Sequence, residues 1–148
     1  MIGDPVAHSA SPYIHNAAFR RLGLNFVYLA FRVARDDLED VIRVFRALNI
    51  KGFNVTIPHK VEVMNYIDAL DESAMEVGAV NTVVNVRGTL IGFNTDVDGF
   101  LSPIRSLQMD LKGLSVVVLG AGGAAKACLY ALWREGCRVF TILNRSID

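Results

Sequence analysis

No apolar stretch approaching about 18 residues interrupts this sequence, so a membrane-spanning helix is not expected. Cysteine is scarce, and Cys128 and Cys137 lack the paired spacings of a zinc site or a disulfide framework. Both read as buried packing residues. No metal site is expected, because His8, His15 and His59 show no ligand spacing and each reads as a hydrogen-bonding or surface residue. An excess of one charge is missing too. The 15 Lys and Arg residues balance 15 Asp and Glu, leaving no positive field to draw the protein to nucleic acid or an anionic membrane. A small-molecule partner is the better expectation, with a homodimer as an admissible assembly. The first residues, with Asp4 and no basic start, do not resemble a signal peptide, so the expected location is cytoplasmic.

What the sequence does have is apolar material in periodic order. With 52% hydrophobic and 20% charged residues it can bury a core, as one domain or as a domain plus the beginning of a second. Ser11 and Pro12 offer an N-cap and a first-turn proline, and Ile14, Ala17, Ala18 and Leu22 recur at helical spacing up to Gly23. Residues 25–33 read as a mostly buried strand. Asp36 and Glu39 form a capping-box pattern before a helix whose face carries Leu38, Val41, Ile42, Phe45 and Leu48. Residues 52–57 read as a strand stopped by Pro58, and Val61, Met64 and Ile67 suggest a third helix. Residues 79–86 and 89–93, joined across Arg87-Gly88, predict a β-hairpin. A short helix is expected over 98–107.

Alternating strands and helices argue for an α/β fold, and the hairpin makes its sheet mixed. The polar stretch 108–113 suggests a boundary between a substrate-binding domain, 1–107, and the start of a dinucleotide-binding domain, 108–148. In the second part a strand over 114–119, a glycine turn, a helix over 124–134 and a strand over 138–143 make one βαβ unit. A Rossmann-type domain normally needs five or six strands, so the sequence is expected to be part of a longer protein.

The βαβ turn reads Gly120-Ala121-Gly122-Gly123-Ala124-Ala125, the G-x-G-x-x-G/A fingerprint between a strand and a helix. Gly120 permits the tight turn, Gly122 lets backbone approach a pyrophosphate, and Ala125 allows close helix-strand packing. At the end of the second strand stand Asn144, Arg145 and Ser146, where an NAD-binding protein usually carries a carboxylate. An arginine and a hydroxyl suit a 2′-phosphate, which favours NADP over NAD. Arg145 as a solvated loop cation is the plainer alternative.

Polar clusters follow three strands: Ser9 to Pro12, Asn54 to Lys60, and Asn94 to Asp96, with Asn81 near the hairpin. Ligands of open α/β sheets bind at the carboxyl ends of strands, so these loops are placed to share one crevice. Each residue also has an ordinary use. Ser11 can cap its helix, Thr56 suits a strand, Lys60 suits a surface, and Asp96 or Asp98 can cap the following helix.

Taken together, five stretches in order resemble the shikimate dehydrogenase family: residues 3–12 with Ile14-His15-Asn16, residues 54–60, Gly78 to Thr82, Gly92 to Asp96, and Gly120 to Ala124. The resemblance implies reversible NADPH-dependent reduction of 3-dehydroshikimate to shikimate, in chorismate and aromatic amino-acid biosynthesis. It implies that Ser9 and Ser11 hold the substrate carboxylate, that Thr56, Lys60, Asn81 and Asp96 surround the ring hydroxyls, and that Lys60 and Asp96 are the catalytic pair. Gly120, Ala121, Gly122, Gly123, Ala124, Asn144, Arg145 and Ser146 would hold NADP. A quinate-preferring relative and a truncated, non-catalytic fragment remain the alternatives. Which of Lys60 and Asp96 takes the proton is left open, since the two can titrate as a unit.

Overall fold

The computed structural model describes residues 1–145. Its elements run β1 (Ile2–Gly3), α1 (Ser11–Arg21), β2 (Phe31–Arg32), α2 (Leu38–Ala47), β3 (Gly52–Asn54), β4 (Ala69–Leu70), α3 (Glu72–Val77), β5 (Thr82–Val86), β6 (Thr89–Phe93), α4 (Asp96–Ser106), β7 (Ser115–Leu119), α5 (Gly123–Arg134) and β8 (Val139–Leu143). A mixed sheet forms with order β3-β5-β6-β4, in which β5 pairs antiparallel with β3 and β6 while β4 runs parallel to β6. The parallel pair β1-β2 joins it through a bridge between Ile2 and Val55, so the spatial order is β2-β1-β3-β5-β6-β4. The α/β reading and the mixed sheet are both borne out.

The expected hairpin is present. Its turn uses Arg87 at φ 54° and Gly88 at φ 94°, the positive pair that matches the twist of two adjoining strands. The βαβ unit is present too, with β7 and β8 paired in parallel across five positions and α5 as the crossover.

Several local expectations need correction. Of residues 25–33 only Phe31–Arg32 joins a ladder. An extended run becomes a strand only against a backbone neighbour, and here the Asn16 side chain takes that place. Its Oδ1 accepts from the Tyr28 N–H at 2.8 Å and its Nδ2 donates to the Tyr28 carbonyl at 2.9 Å. The strand expected over 52–57 stops at Asn54, with Val55 only bridging Ile2. The third helix is a 3₁₀ turn, Glu62–Asn65, that points Val63 inward instead of Val61.

The capping box of Asp36 and Glu39 does not form. A 3₁₀ turn over Arg35–Asp37 precedes α2, Asp37 occupies the cap without a side-chain bond, and Glu39 pairs with Arg43 at 3.2 Å. Helices α4 and α5 begin earlier than expected, at Asp96 and Gly123. Strand β4 and helix α3 were not anticipated. The Asp71 carboxylate caps α3 by accepting from the Ser73 N–H at 3.0 Å, and Gly78 at φ 66° ends it.

The main core lies between the sheet and α2, where Leu38, Ile42 and Phe45 meet Ile2, Phe53, Val55, Val83 and Leu90. Truncating one of these aliphatic side chains to alanine costs about 2–5 kcal/mol. A second cluster joins Val77 and Ala79 to Val97 and Leu101 of α4 and to Ala127 and Ala131 of α5. The crossover helix is therefore packed against α4 and the end of α3. Cys137 is buried as expected and its Sγ donates to the Leu111 carbonyl, whereas Cys128 is only half-buried.

Candidate active site

Helix α4 opens with Asp96 in its first turn, immediately beyond β6, so its carboxylate lies at the sheet end where positive helix charge favours an anion. It caps nothing. Asp96 Oδ2 accepts from Lys60 Nζ at 2.6 Å, and Asp96 Oδ1 accepts from Asn81 Nδ2 at 2.7 Å. Both are charge-assisted contacts in partial shelter, since the lysine side chain is 16% exposed and the aspartate 30%. Lys60 is thus not a surface cation. Its backbone is held as well, because its carbonyl accepts from the Val80 N–H at 2.7 Å.

Asn81 sits at the centre. Its Nδ2 also donates to Thr95 Oγ1 at 2.9 Å, and its Oδ1 accepts from the Thr95 N–H at 3.1 Å and the Thr82 hydroxyl at 2.9 Å. Asn54 Nδ2 donates to Thr82 Oγ1 at 3.0 Å, and the Tyr28 phenol donates to Asn54 Oδ1 at 2.6 Å. Burial pushes the Tyr28 phenol pKa up, and the nearby Ser11 hydroxyl opposes that rise. One polar chain thus runs from Tyr28 to Lys60.

The structure joins Asn81, Asp96 and Lys60 in this chain, sets Ser11 near its Tyr28 end and sets Thr56 beside Lys60 along a cavity of about 820 Å³. Ser11 is not the helix cap expected of it: α1 starts at Ser11, its cap residue is Ala10, and the Ser11 N–H donates to Ser9 Oγ at 3.2 Å. Ser9 opens onto a neighbouring hollow with Asp4, Val6, Pro12 and Arg32. Tyr28 was missed as a site residue, and Asn54, Thr82 and Thr95, though inside the motifs, were given no individual role. Tyr28 was hidden inside an apparently apolar strand.

His59 is fully buried, with Nε2 2.8 Å from the Val33 carbonyl, which accepts and so places the proton on Nε2. Among the described residues no group of three or more His, Cys, Asp or Glu is placed to hold a metal ion. Cys128 of α5 lies within the electrostatic reach of the pair. Burial pushes its thiol pKa up, the Asp96 charge adds to the rise, and the Lys60 charge opposes it.

The large cavity is closed on its other side by Gly122, Gly123, Ala124, Asn144 and Arg145. Gly120, at φ 107°, makes the turn that a side chain would strain, and Ala121 follows it. A methyl at Gly122 would meet no atom within 4 Å, so backbone there faces open space into which a pyrophosphate fits. Backbone N–H groups opening the 12-residue helix α5 and the Arg145 guanidinium supply positive charge around it. This donor set fits a phosphorylated dinucleotide. Ser146 lies outside the described residues.

Fold and turn together define a class: a mixed-sheet α/β domain joined to the opening βαβ unit of a Rossmann-type domain. The family model described as the shikimate dehydrogenase substrate binding domain matches residues 1–83, and the chain belongs to the shikimate dehydrogenase family. It is 52% identical over 148 residues to a shikimate dehydrogenase (NADP(+)) from Caldanaerobacter subterraneus subsp. tengcongensis, covering 100% of this chain and 53% of that protein. Shikimate dehydrogenase 1 from Peptoclostridium difficile superposes with a TM-score of 0.93 at 34% identity, over 99% of this chain and 54% of that one. Shikimate 5-dehydrogenase from Thermus thermophilus, solved in complex with NADP(H) and shikimate, matches at a TM-score of 0.85 and 40% identity, over 98% and 54% of the two chains. The chain spans about half the length of the curated relatives it matches.

Proposed function

We propose that this chain supplies the substrate-binding half of an NADP-dependent shikimate dehydrogenase, which reversibly reduces 3-dehydroshikimate to shikimate. The observation that carries the reading is the Lys60–Asp96 pair, 2.6 Å apart, with Lys60 on the wall of the cavity that Gly122, Gly123 and Arg145 close. Bound NADP(H) supplies the hydride donor or acceptor. The protein's task is to place the ring and move one proton.

In the oxidative direction the ring carbon loses hydride while its hydroxyl loses a proton to the Lys60–Asp96 unit. In the reductive direction the same unit returns that proton to the carbonyl oxygen, and the Lys60 ammonium stabilises the developing alkoxide. Asn81 holds Asp96 in position through its amide. Thr56 borders the ring, and Ser11, with Ser9 beside it, takes the carboxylate. Asn144 and Arg145, with Ser146 after them, receive the adenosine phosphate.

The division into 1–107 and 108–148, service in chorismate and aromatic amino-acid biosynthesis, a cytoplasmic location and a homodimer belong to the same proposal. Small-molecule recognition, without nucleic acid or membrane, is supported by the balance of 15 basic and 15 acidic residues. The test is the rate of NADP⁺ reduction, followed by nucleotide absorbance, in the full-length enzyme with shikimate and with quinate. Preference for shikimate supports the reading. A higher kcat/KM for quinate assigns the site to the sister activity, and absence of turnover with both acids refutes it.

A further inference from the structure

The dinucleotide fingerprint leaves Gly123 without a job. In G-x-G-x-x-G/A its position is unspecified, and its backbone is not in the left-handed region that would demand glycine. A reason appears across the cavity. A methyl on Gly123 would lie 2.8 Å from Lys60 Cβ, 3.2 Å from Lys60 Cδ and 3.4 Å from Ala79 Cβ. At neighbouring Gly122 the same methyl would meet nothing within 4 Å. The two adjacent glycines therefore serve different ends.

Helix α5 has little freedom to retreat from such a clash. Ala127 and Ala131 are packed with Val97 and Leu101, the Lys126 ammonium reaches toward the Gly78 carbonyl at 3.5 Å, and the Tyr130 phenol bonds the Glu76 carboxylate. The Lys60 backbone is equally fixed through its carbonyl to Val80. The clash therefore falls on Lys60 itself: its Cβ, the nearest atom, and the stem beyond it must shift together, and with them the ammonium held on Asp96 by a contact of 2.6 Å.

We propose that Gly123 is a positioning residue for Lys60: the missing side chain lets the lysine stem lie against the nucleotide turn and keeps its ammonium on Asp96. The inference rests on reading Lys60 and Asp96 as the proton-handling pair. It makes one turn serve both sides of the cavity, with Gly122 facing the cofactor and Gly123 facing the lysine.

The experiment is a double-mutant cycle in the full-length enzyme, reading kcat, the shikimate KM and the NADP⁺ Kd. Gly123→Ala should lower kcat by about 10- to 100-fold, since a displacement near 1 Å of a reacting group costs about that much, with the shikimate KM changing far less. In a Lys60→Ala background Gly123→Ala should add less than about a twofold loss, because it acts through the ammonium already removed. Gly122→Ala should instead raise the NADP⁺ Kd in both backgrounds. Equal losses from Gly123→Ala in the two backgrounds, or an unchanged kcat, would overturn the proposal. Should Gly123→Ala yield no folded protein, Ala79→Gly, which loosens the same gap from the other side, gives the second reading. Its kcat loss must vanish in the Lys60→Ala background. A Lys60→Ala enzyme with intact kcat would sink the reading of the pair itself, an outcome distinct from failure of Gly123 alone.

Discussion

Lys60 and Asp96, 36 positions apart in the chain, meet at 2.6 Å because the loop after β3 and the first turn of α4 converge at one end of the mixed sheet. A lysine there for solubility alone would change stability by about 0.5 kcal/mol or less when truncated. As a proton-handling group it should matter in turnover. Lys60→Ala in the full-length enzyme is expected to lower kcat by about a hundred-fold or more, with a small change in the shikimate KM. Asp96→Asn should do likewise, and the two losses should be far from additive because the residues act as a unit. A raised KM with kcat intact would demote Lys60 to a binding residue.

Arg145 is the test of cofactor choice. It borders the cavity with Asn144, at the end of the strand where an NAD-binding chain usually carries a carboxylate. A charge-assisted contact to the 2′-phosphate contributes about 1.5–3 kcal/mol, so Arg145→Ala should weaken NADPH about ten- to a hundred-fold. NADH binding should hardly change. Fluorescence titration with both nucleotides decides it, and equal losses would assign Arg145 to general packing.

Tyr28 offers a test of the polar chain away from the reacting atoms. Its phenol donates to Asn54 Oδ1 at 2.6 Å, with the Ser11 hydroxyl nearby. Tyr28→Phe leaves the Asn54 amide oxygen to water, at a cost of about 1 kcal/mol at this half-buried position. Urea unfolding should show that loss, and kinetics should show a raised shikimate KM with kcat kept. A fall in kcat alone would place Tyr28 in the chemistry instead.

What could be read from the sequence was what local chemistry dictates. Arg87-Gly88 and Gly120 require positive φ, so the hairpin and the βαβ turn were legible from single residues. The Lys60–Asp96 pair was not legible from spacing. It came from resemblance, because no periodicity relates two loops that only the sheet brings together. Tyr28 was lost for a related reason: a strand-like run hides a phenol whose partner, Asn54, lies 26 residues away. The capping box failed because a 3₁₀ turn over Arg35–Asp37 shifted the start of α2, leaving Glu39 to pair with Arg43. Local patterns propose such contacts, and tertiary geometry decides among them.

Acid stability should turn partly on Asp68, which ties the connection before β4 to two other segments. Arg46 Nη1 donates to Asp68 Oδ2 at 2.6 Å, and the Leu90 N–H donates to the same oxygen at 2.7 Å. These bonds, the Arg46 contact foremost, hold the Asp68 carboxyl below its ordinary value against a smaller opposing effect of desolvation. Because the folded-state pKa is depressed, the stability it contributes is fully present above the unfolded carboxylate pKa of about 3.9 and is lost as pH falls through the folded value. The contribution is modest, since the side chain is 40% exposed and water screens the ion pair. Asp68→Asn should therefore destabilise the protein at about pH 7 and make progressively less difference as the medium is acidified below about pH 4. Asp71, depressed by its bonds to Ser73, keeps the same sign in the variant, so the acid slope should shrink without vanishing. Urea midpoints across this range provide the measurement, and a constant offset between wild type and Asp68→Asn at every pH would show that the carboxylate contributes shape and not charge.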